Sequence, residues 1–124
     1  MPTGLDSWRK LMDRIHEIIV VEGRHDTQQL KKYFDCETIE TGGSSIDDKV
    51  IEQIRYAADT RGVIVFTDPD TPGNQIRHII NQHVPNCKNA FVEKRNARTE
   101  KKVGIEHADK DTLWNALQNV VTIT

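Results

Sequence analysis

The sequence predicts an α/β fold with helices on both faces of a four-stranded, mainly parallel sheet. Three observations lead there. Short apolar runs alternate with stretches of helical period, in the order β-α-β-α-β-α-β-α, as in chains whose strands are joined by helical crossovers. The strongest runs, "IIVV" at 18–21 and "VIVF" at 63–66, are continuous rather than alternating, which suits strands buried on both faces. The chain has 124 residues, enough for one domain around one core.

Each element has its own signal. In the opening "MPTGLDSWRKLMDRIHE", Leu5, Trp8, Leu11, Met12 and Ile15 fall at helical spacing and predict a short amphipathic leader helix over 1–16, the other reading being an extension with no role. The segment is too charged for a secretory signal. After strand one, "HDTQQLKKYF" reads as a helix with Asp26 as N-cap, Gln29 three residues on, and an apolar stripe of Leu30, Tyr33 and Phe34. "CETIE" is a weaker second strand and "TGGSS" a loop. Ile46, Val50, Ile51, Ile54 and Ala57 then define an amphipathic helix. "GVIVFT" is the third and best strand. Thr71 as N-cap and Pro72 at the first helical position open a helix that buries Ile76, Ile79, Ile80 and Val84. "KNAFV" is the fourth strand and "EKRNARTEKK" a charged loop. Asp109 caps a last helix with Leu113, Ala116, Leu117 and Val120 inside.

Composition narrows the class. Hydrophobic residues make up 36% and charged residues 29%, ordinary for a globular protein, and no apolar run approaches membrane-spanning length. Net charge is −2, so a nucleic-acid surface would have to be a local patch. Cys36 and Cys87 lack CxxC partners, which points to reduced thiols and a cytoplasmic location. None of the five histidines has zinc-ligand spacing with them, and His78 and His83 read as surface residues. There is no GxSxG and no Walker-type motif.

The chemistry gathers at strand ends. Glu22 directly follows "IIVV", and Asp68 and Asp70 follow "VIVFT". If strands one and three are neighbours, three carboxylates meet at the edge where parallel sheets bind ligands. Clustered carboxylates stay ionised together only with a cation between them, and hard oxygen donors favour Mg²⁺. A lone "DPD" is weak evidence, because aspartates are common in turns and caps. "EG" after a buried strand strengthens it: Glu is a poor turn residue and Gly23 allows close approach to the backbone. Gly42 and Gly43 form either a plain turn or a loop offering N–H groups to a phosphate. Lys94, Arg95, Arg98, Lys101 and Lys102 form either a solvated run or a patch for a nucleic-acid backbone.

Glu-Gly after strand one and Asp-x-Asp after strand three, in a domain of this size, resemble the Toprim domain, a Rossmann-like fold. The wider wording is more specific. "IVVEGRHDT", "TIETGGSSI", "RGVIVFTDPDTPGNQIR", "VPNCKNAF" and "VGIEHA" resemble the catalytic domain of the ribonuclease M-five family, endonucleases that mature 5S rRNA. The resemblance covers roughly 17–109. It implies Mg²⁺-dependent cleavage of precursor 5S rRNA on both strands of a stem, through one or two ions, with Mn²⁺ able to substitute. It also implies a ribosomal protein that binds 5S rRNA as partner. Glu22, Asp68 and Asp70 match the family's acids, with Glu22 a metal ligand or a general acid–base, and Glu106 is a candidate fourth acid. Gly23, Gly42 and Gly43 match glycines around the site. Residues 110–124 would then begin a C-terminal domain that is truncated or absent. Two other readings use the same residues: a different Toprim nucleotidyl transferase, and a non-catalytic ribosome-associated RNA-binding module.

Overall fold

The computed structural model describes residues 12–43, 45–92 and 104–123. Strand β1 is Asp13–Arg14 and β2 is Ile18–Val21, followed by helix α1, Arg24–Tyr33, and strands β3, Phe34–Asp35, and β4, Thr38–Glu40. Helix α2 is Asp48–Thr60, β5 is Val63–Val65, α3 is Thr71–His83 and β6 is Lys88–Asn89. A single 3₁₀ turn, Ile105–His107, precedes α4, Lys110–Gln118, and β7, Val121–Thr122.

The main sheet has the order β4-β2-β5-β6-β7, and every pairing is parallel except that of β6 with β7. The predicted α/β class stands, with a fifth, antiparallel edge strand added. Continuous apolar runs do lie buried on both faces: Ile19, Val20 and Val21 are all fully buried. The pleat divides them. Ile19, Val21, Ile64 and Phe66 pack with Leu30 of α1 and with Leu113 and Leu117 of α4. Val20, Val63 and Val65 pack with Ile54 of α2 and with Ile76 and Ile80 of α3. The result is three layers, α1 and α4 on one side and α2 and α3 on the other. The helix predicted within 110–124 thus contributes its apolar side to the same core as Ile19.

Several boundaries differ from the sequence reading. The end of the expected leader helix is extended: β1 pairs in parallel with β3, and Ile15 is buried in the core, its N–H donating to Asp35 O. The tertiary pairing partner overrides the helical spacing; the rest of the leader, 1–11, lies outside the described residues. Helix α1 begins three residues earlier than expected, with Gly23 as N-cap and Asp26 inside the first turn. Asp70, not Thr71, caps α3. Asp109 caps α4 as expected, accepting from Thr112 N at 2.8 Å. Both cysteines are buried and unpaired. No helix among the described residues is long and apolar enough to cross a membrane.

Candidate metal-dependent active site

Strands β2 and β5 are direct neighbours, so their carboxyl ends emerge side by side. Glu22 leaves the end of β2, and its Oε1 accepts from Asp68 N, just past β5, at 2.7 Å. Asp68 Oδ1 accepts from Ile105 N at 2.9 Å, which ties the loop to the 3₁₀ turn. Asp70 Oδ1 accepts from Gly73 N at 2.7 Å as the cap of α3. Each acid is therefore held by one main-chain N–H on one oxygen. Among the described residues, no hydrogen bond engages the second oxygen of any of the three.

Gly73 shows how closely the carboxylates of Glu22 and Asp70 approach the Asp68 main chain. A Cβ built there would lie 2.2 Å from Asp68 O and 3.0 Å from both Asp70 Oδ1 and Glu22 Oε1. Those two carboxylate oxygens are thus within twice that distance of each other. None of the ion pairs among the described residues, Arg55–Glu52, Lys88–Glu17, His107–Glu106 and Lys110–Asp13, includes these acids. Burial pushes the Glu22 carboxyl above its ordinary range, and Asp68 and Asp70 add to the effect against the opposing Asp68 N–H bond.

A cleft of about 520 Å³ opens over this edge, lined by Glu22, Gly23, Arg24, His25, Asp26, Glu40, Gly42, Gly43, Asp68 and Glu106. Glu106 is exposed on the 3₁₀ turn and reaches the cleft while paired with His107 Nε2 at 3.1 Å. Gly42 N donates to Glu22 O at 3.0 Å, so the glycine loop runs beside the first acid. Gly42 and Gly43 hold φ of +84° and +125°, conformations that favour glycine. Gly23 is different: it is extended, and a Cβ there would meet nothing within 4 Å, so the fold itself makes no demand for glycine at that position. Lys94, Arg95, Arg98, Lys101 and Lys102 lie outside the described residues.

Three residues escape the sequence pattern. Asp26 is buried, its Oδ2 accepting from Gly23 N at 3.2 Å; burial, Asp68 and Glu106 push its carboxyl up to about 6. The "EGRHD" wording is compatible with this, but a cap and a buried first-turn acid look alike in sequence. Gly73 looks like an ordinary first-turn residue. Arg77 is buried beneath the sheet's carboxyl edge. It donates to Val65 O (3.1 Å), Thr67 O (3.3 Å), Asn89 Oδ1 (3.1 Å) and Ala90 O (2.7 Å), with its guanidinium 4.0 Å from the centroid of the Phe91 ring. Its signal is positional: Gly73, Arg77, Ile80 and Val84 share the core-facing side of α3.

The donor chemistry suits a hard divalent cation. The acids are oxygen donors, each oriented by a main-chain bond, and a Cβ on Gly73 would meet carboxylate oxygens of Glu22 and Asp70 together with the main-chain O of Asp68. Among the described residues no three acidic, histidine or cysteine side chains already stand grouped around one point. A hard divalent cation needs no closed protein cage, since Mg²⁺ is commonly held by one or two carboxylates together with substrate phosphate.

This arrangement, acids at the ends of adjacent parallel strands in a three-layer domain, belongs to a known class. The Toprim domain model matches residues 17–100, and the chain belongs to the Toprim family. Among individual proteins, it is 56% identical over 109 residues to Ribonuclease M5 of Lactococcus lactis, covering 86% of this chain and 53% of that protein. It is 53% identical over 109 residues to Ribonuclease M5 of Bacillus subtilis, covering 86% and 59%. It is 48% identical over 108 residues to that of Staphylococcus aureus, covering 86% and 61%. The chain thus spans a little over half the length of these curated relatives. The structure of a small TOPRIM domain protein from Bacillus stearothermophilus superposes with a TM-score of 0.65, covering 89% of this chain and 96% of that one. At 20% identity, that likeness speaks for the fold alone.

Proposed function

We propose that this chain is the catalytic domain of a metal-dependent endoribonuclease that cleaves precursor 5S rRNA within a double-stranded stem. The observation that carries the reading is the trio Glu22, Asp68 and Asp70, each fixed by a main-chain N–H at one shared edge. Similarity to Ribonuclease M5 relatives supplies the substrate class. In this reading Asp68 and Asp70 hold Mg²⁺ or Mn²⁺, with Glu22 beside them and Glu106 as a fourth acid. The bound ion supplies Lewis acidity to the scissile phosphate and makes water a better nucleophile at neutral pH. The chain's own share is orientation. Ile105 N and Gly73 N hold Asp68 and Asp70 in place, and Asp68 N aims Glu22. Glu22, its carboxyl raised by burial, is suited to pass a proton to the leaving 3′-oxygen, leaving a 5′-phosphate on the other product. Gly23, Gly42 and Gly43 leave room for the backbone of the RNA, and Lys94, Arg95, Arg98, Lys101 and Lys102 add cations for its phosphates. The setting is the cytoplasm, with a ribosomal protein presenting the 5S precursor.

The test is incubation with a 5S precursor in Mg²⁺ and in EDTA, for the natural chain and Asp70→Asn. An Asn keeps the cap, so the fold should hold. Cleavage should require the metal and fall by about 10²–10³ in the variant, as when one charge-stabilising group is removed. Unaltered cleavage by the variant would remove Asp70 from the chemistry. Binding with no cleavage under any condition would favour a non-catalytic RNA-binding module.

A further inference from the structure

A second concavity, of about 450 Å³, adjoins the acidic cleft. It is lined by His25, Gln28, Gln29, Lys32, Glu106 and His107, and it shares His25 and Glu106 with the cleft. One wall is α1 and the other is the 3₁₀ turn. Their spacing is fixed by a hydrogen bond from Gln29 Nε2 to Ala108 O at 2.6 Å.

On α1, His25, Gln28, Gln29 and Lys32 recur at i, i+3, i+4 and i+7, so they form one face. At 1.5 Å rise per residue, that face runs for roughly 10 Å away from the acids. It is built of polar donors: an imidazole, two amides and an ammonium. The acidic side chain in this lining, Glu106, is engaged with His107. Asp26, on the same helix, is turned into the interior and bonded to Gly23 N. Among the described residues no apolar anchor lines the concavity, unlike the buried aromatic or aliphatic centre of a protein–protein hot spot.

A polyanion brought to three carboxylates is repelled by them, so its flanking charge must be held nearby. We propose that this face of α1 is a phosphate-binding track, which takes the RNA backbone on one side of the scissile phosphate. Lys32 makes the charged contact, and His25 and Gln28 donate hydrogen bonds. The inference rests on the ribonuclease reading and adds to it a place and a direction for the substrate.

The experiment is a fluorescence titration of a labelled 5S-precursor stem with the whole chain, in Ca²⁺, at several salt concentrations. The proteins are the natural chain, His25→Ala/Lys32→Ala, His25→Lys/Lys32→Arg, and Lys49→Ala as a control. Lys49 is exposed on α2, across the sheet from α1. Both positions on α1 are exposed, so the variants should melt like the natural chain. The double alanine variant should bind about tenfold or more weakly. Its log–log salt slope should flatten by roughly 0.7–0.9 for each RNA phosphate that is no longer neutralised. Lys49→Ala should retain the natural slope, and His25→Lys/Lys32→Arg should bind at least as tightly with a slope at least as steep. Equal affinity and slope in the double alanine variant, with the natural chain binding normally, would overturn the track while leaving the ribonuclease reading intact. No RNA binding by the natural chain would overturn both. A poly-glutamate peptide bound as tightly as the stem, and released in the same variant, would reassign the face to an acidic protein and overturn the RNA track.

Discussion

A methyl group on Gly73 would stand 2.2 Å from Asp68 O, closer than real side chains approach a backbone oxygen. Relief requires moving the loop that carries both aspartates, because the struck atom is main chain. Gly73→Ala should therefore lower stability by about 1–3 kcal/mol, as overpacking does. It should lower cleavage more than that loss explains. Thermal melts and single-turnover cleavage at a temperature where the variant is fully folded separate the two effects; full activity there would show that the acids do not depend on this spacing. At this scale the sequence is informative where a residue breaks a pattern. Glu22, Asp68 and Asp70 stand out because each follows an apolar run with a charge. Asp26 and Gly73 do not, because part of what surrounds each comes from far along the chain. Glu22 Oε1 at Gly73 and Asp68 beside Asp26 are tertiary facts with no local signature.

Between β5, β6 and α3, one buried cation supplies a hold that strand pairing alone cannot. β6 is only two residues long, and Arg77 extends its grip on β5 by bonding Val65 O, Thr67 O and Ala90 O together. Asn89 and Asn81 complete the network, Asn89 donating to Asn81 Oδ1 at 3.0 Å and Asn81 to Asn89 Oδ1 at 2.9 Å. Burial lowers the Arg77 guanidinium to about 10, still charged at neutral pH, and Glu22 opposes that shift. Arg77→Met should leave Thr67 O and Ala90 O short of donors and cost about 2–4 kcal/mol. The Tm should then fall by roughly 10 °C. Arg77→Lys should recover little, because one ammonium cannot span carbonyls on two strands. A Tm close to that of the natural chain would mean that pairing suffices. The long elements are legible because periodicity accumulates over their length: α2, α3 and the runs of β2 and β5. β1, β3 and β7 are not, since two-residue strands carry no period and exist only through their partners. The periodicity of α3 suggests a stripe of isoleucine and valine alone; the half-buried Ile79 yields part of the core side to Arg77.

Across the whole domain, clustered acids set how stability varies with pH. Asp26 ionises at about 6 in the folded chain and near its ordinary 3.8 when unfolded. Between those values the unfolded chain has lost the proton and the folded chain keeps it. Stability from this group is therefore highest below about pH 4 and falls as pH rises through 6. The raised Glu22 acts in the same direction. Urea melts from about pH 4.5 to 7.5 should show this decline reduced in Asp26→Asn; an identical profile would contradict the linkage. A divalent cation bound only to the folded form offsets the loss, by about 2.7 kcal/mol at a hundredfold excess over Kd. Finally, the piece after residue 103 is joined to the rest by more than the chain. Ile105, Ala108, Leu113, Ala116 and Leu117 lie in the same core as Ile19 and Phe34, β7 pairs with β6, and Ile105 N holds Asp68. The fold therefore behaves as a split reporter in waiting. Polypeptides 1–103 and 104–124, made separately, should reassemble by complementation, and cleavage should appear only on mixing. Cleavage by 1–103 alone would show that the second piece is dispensable to the acids.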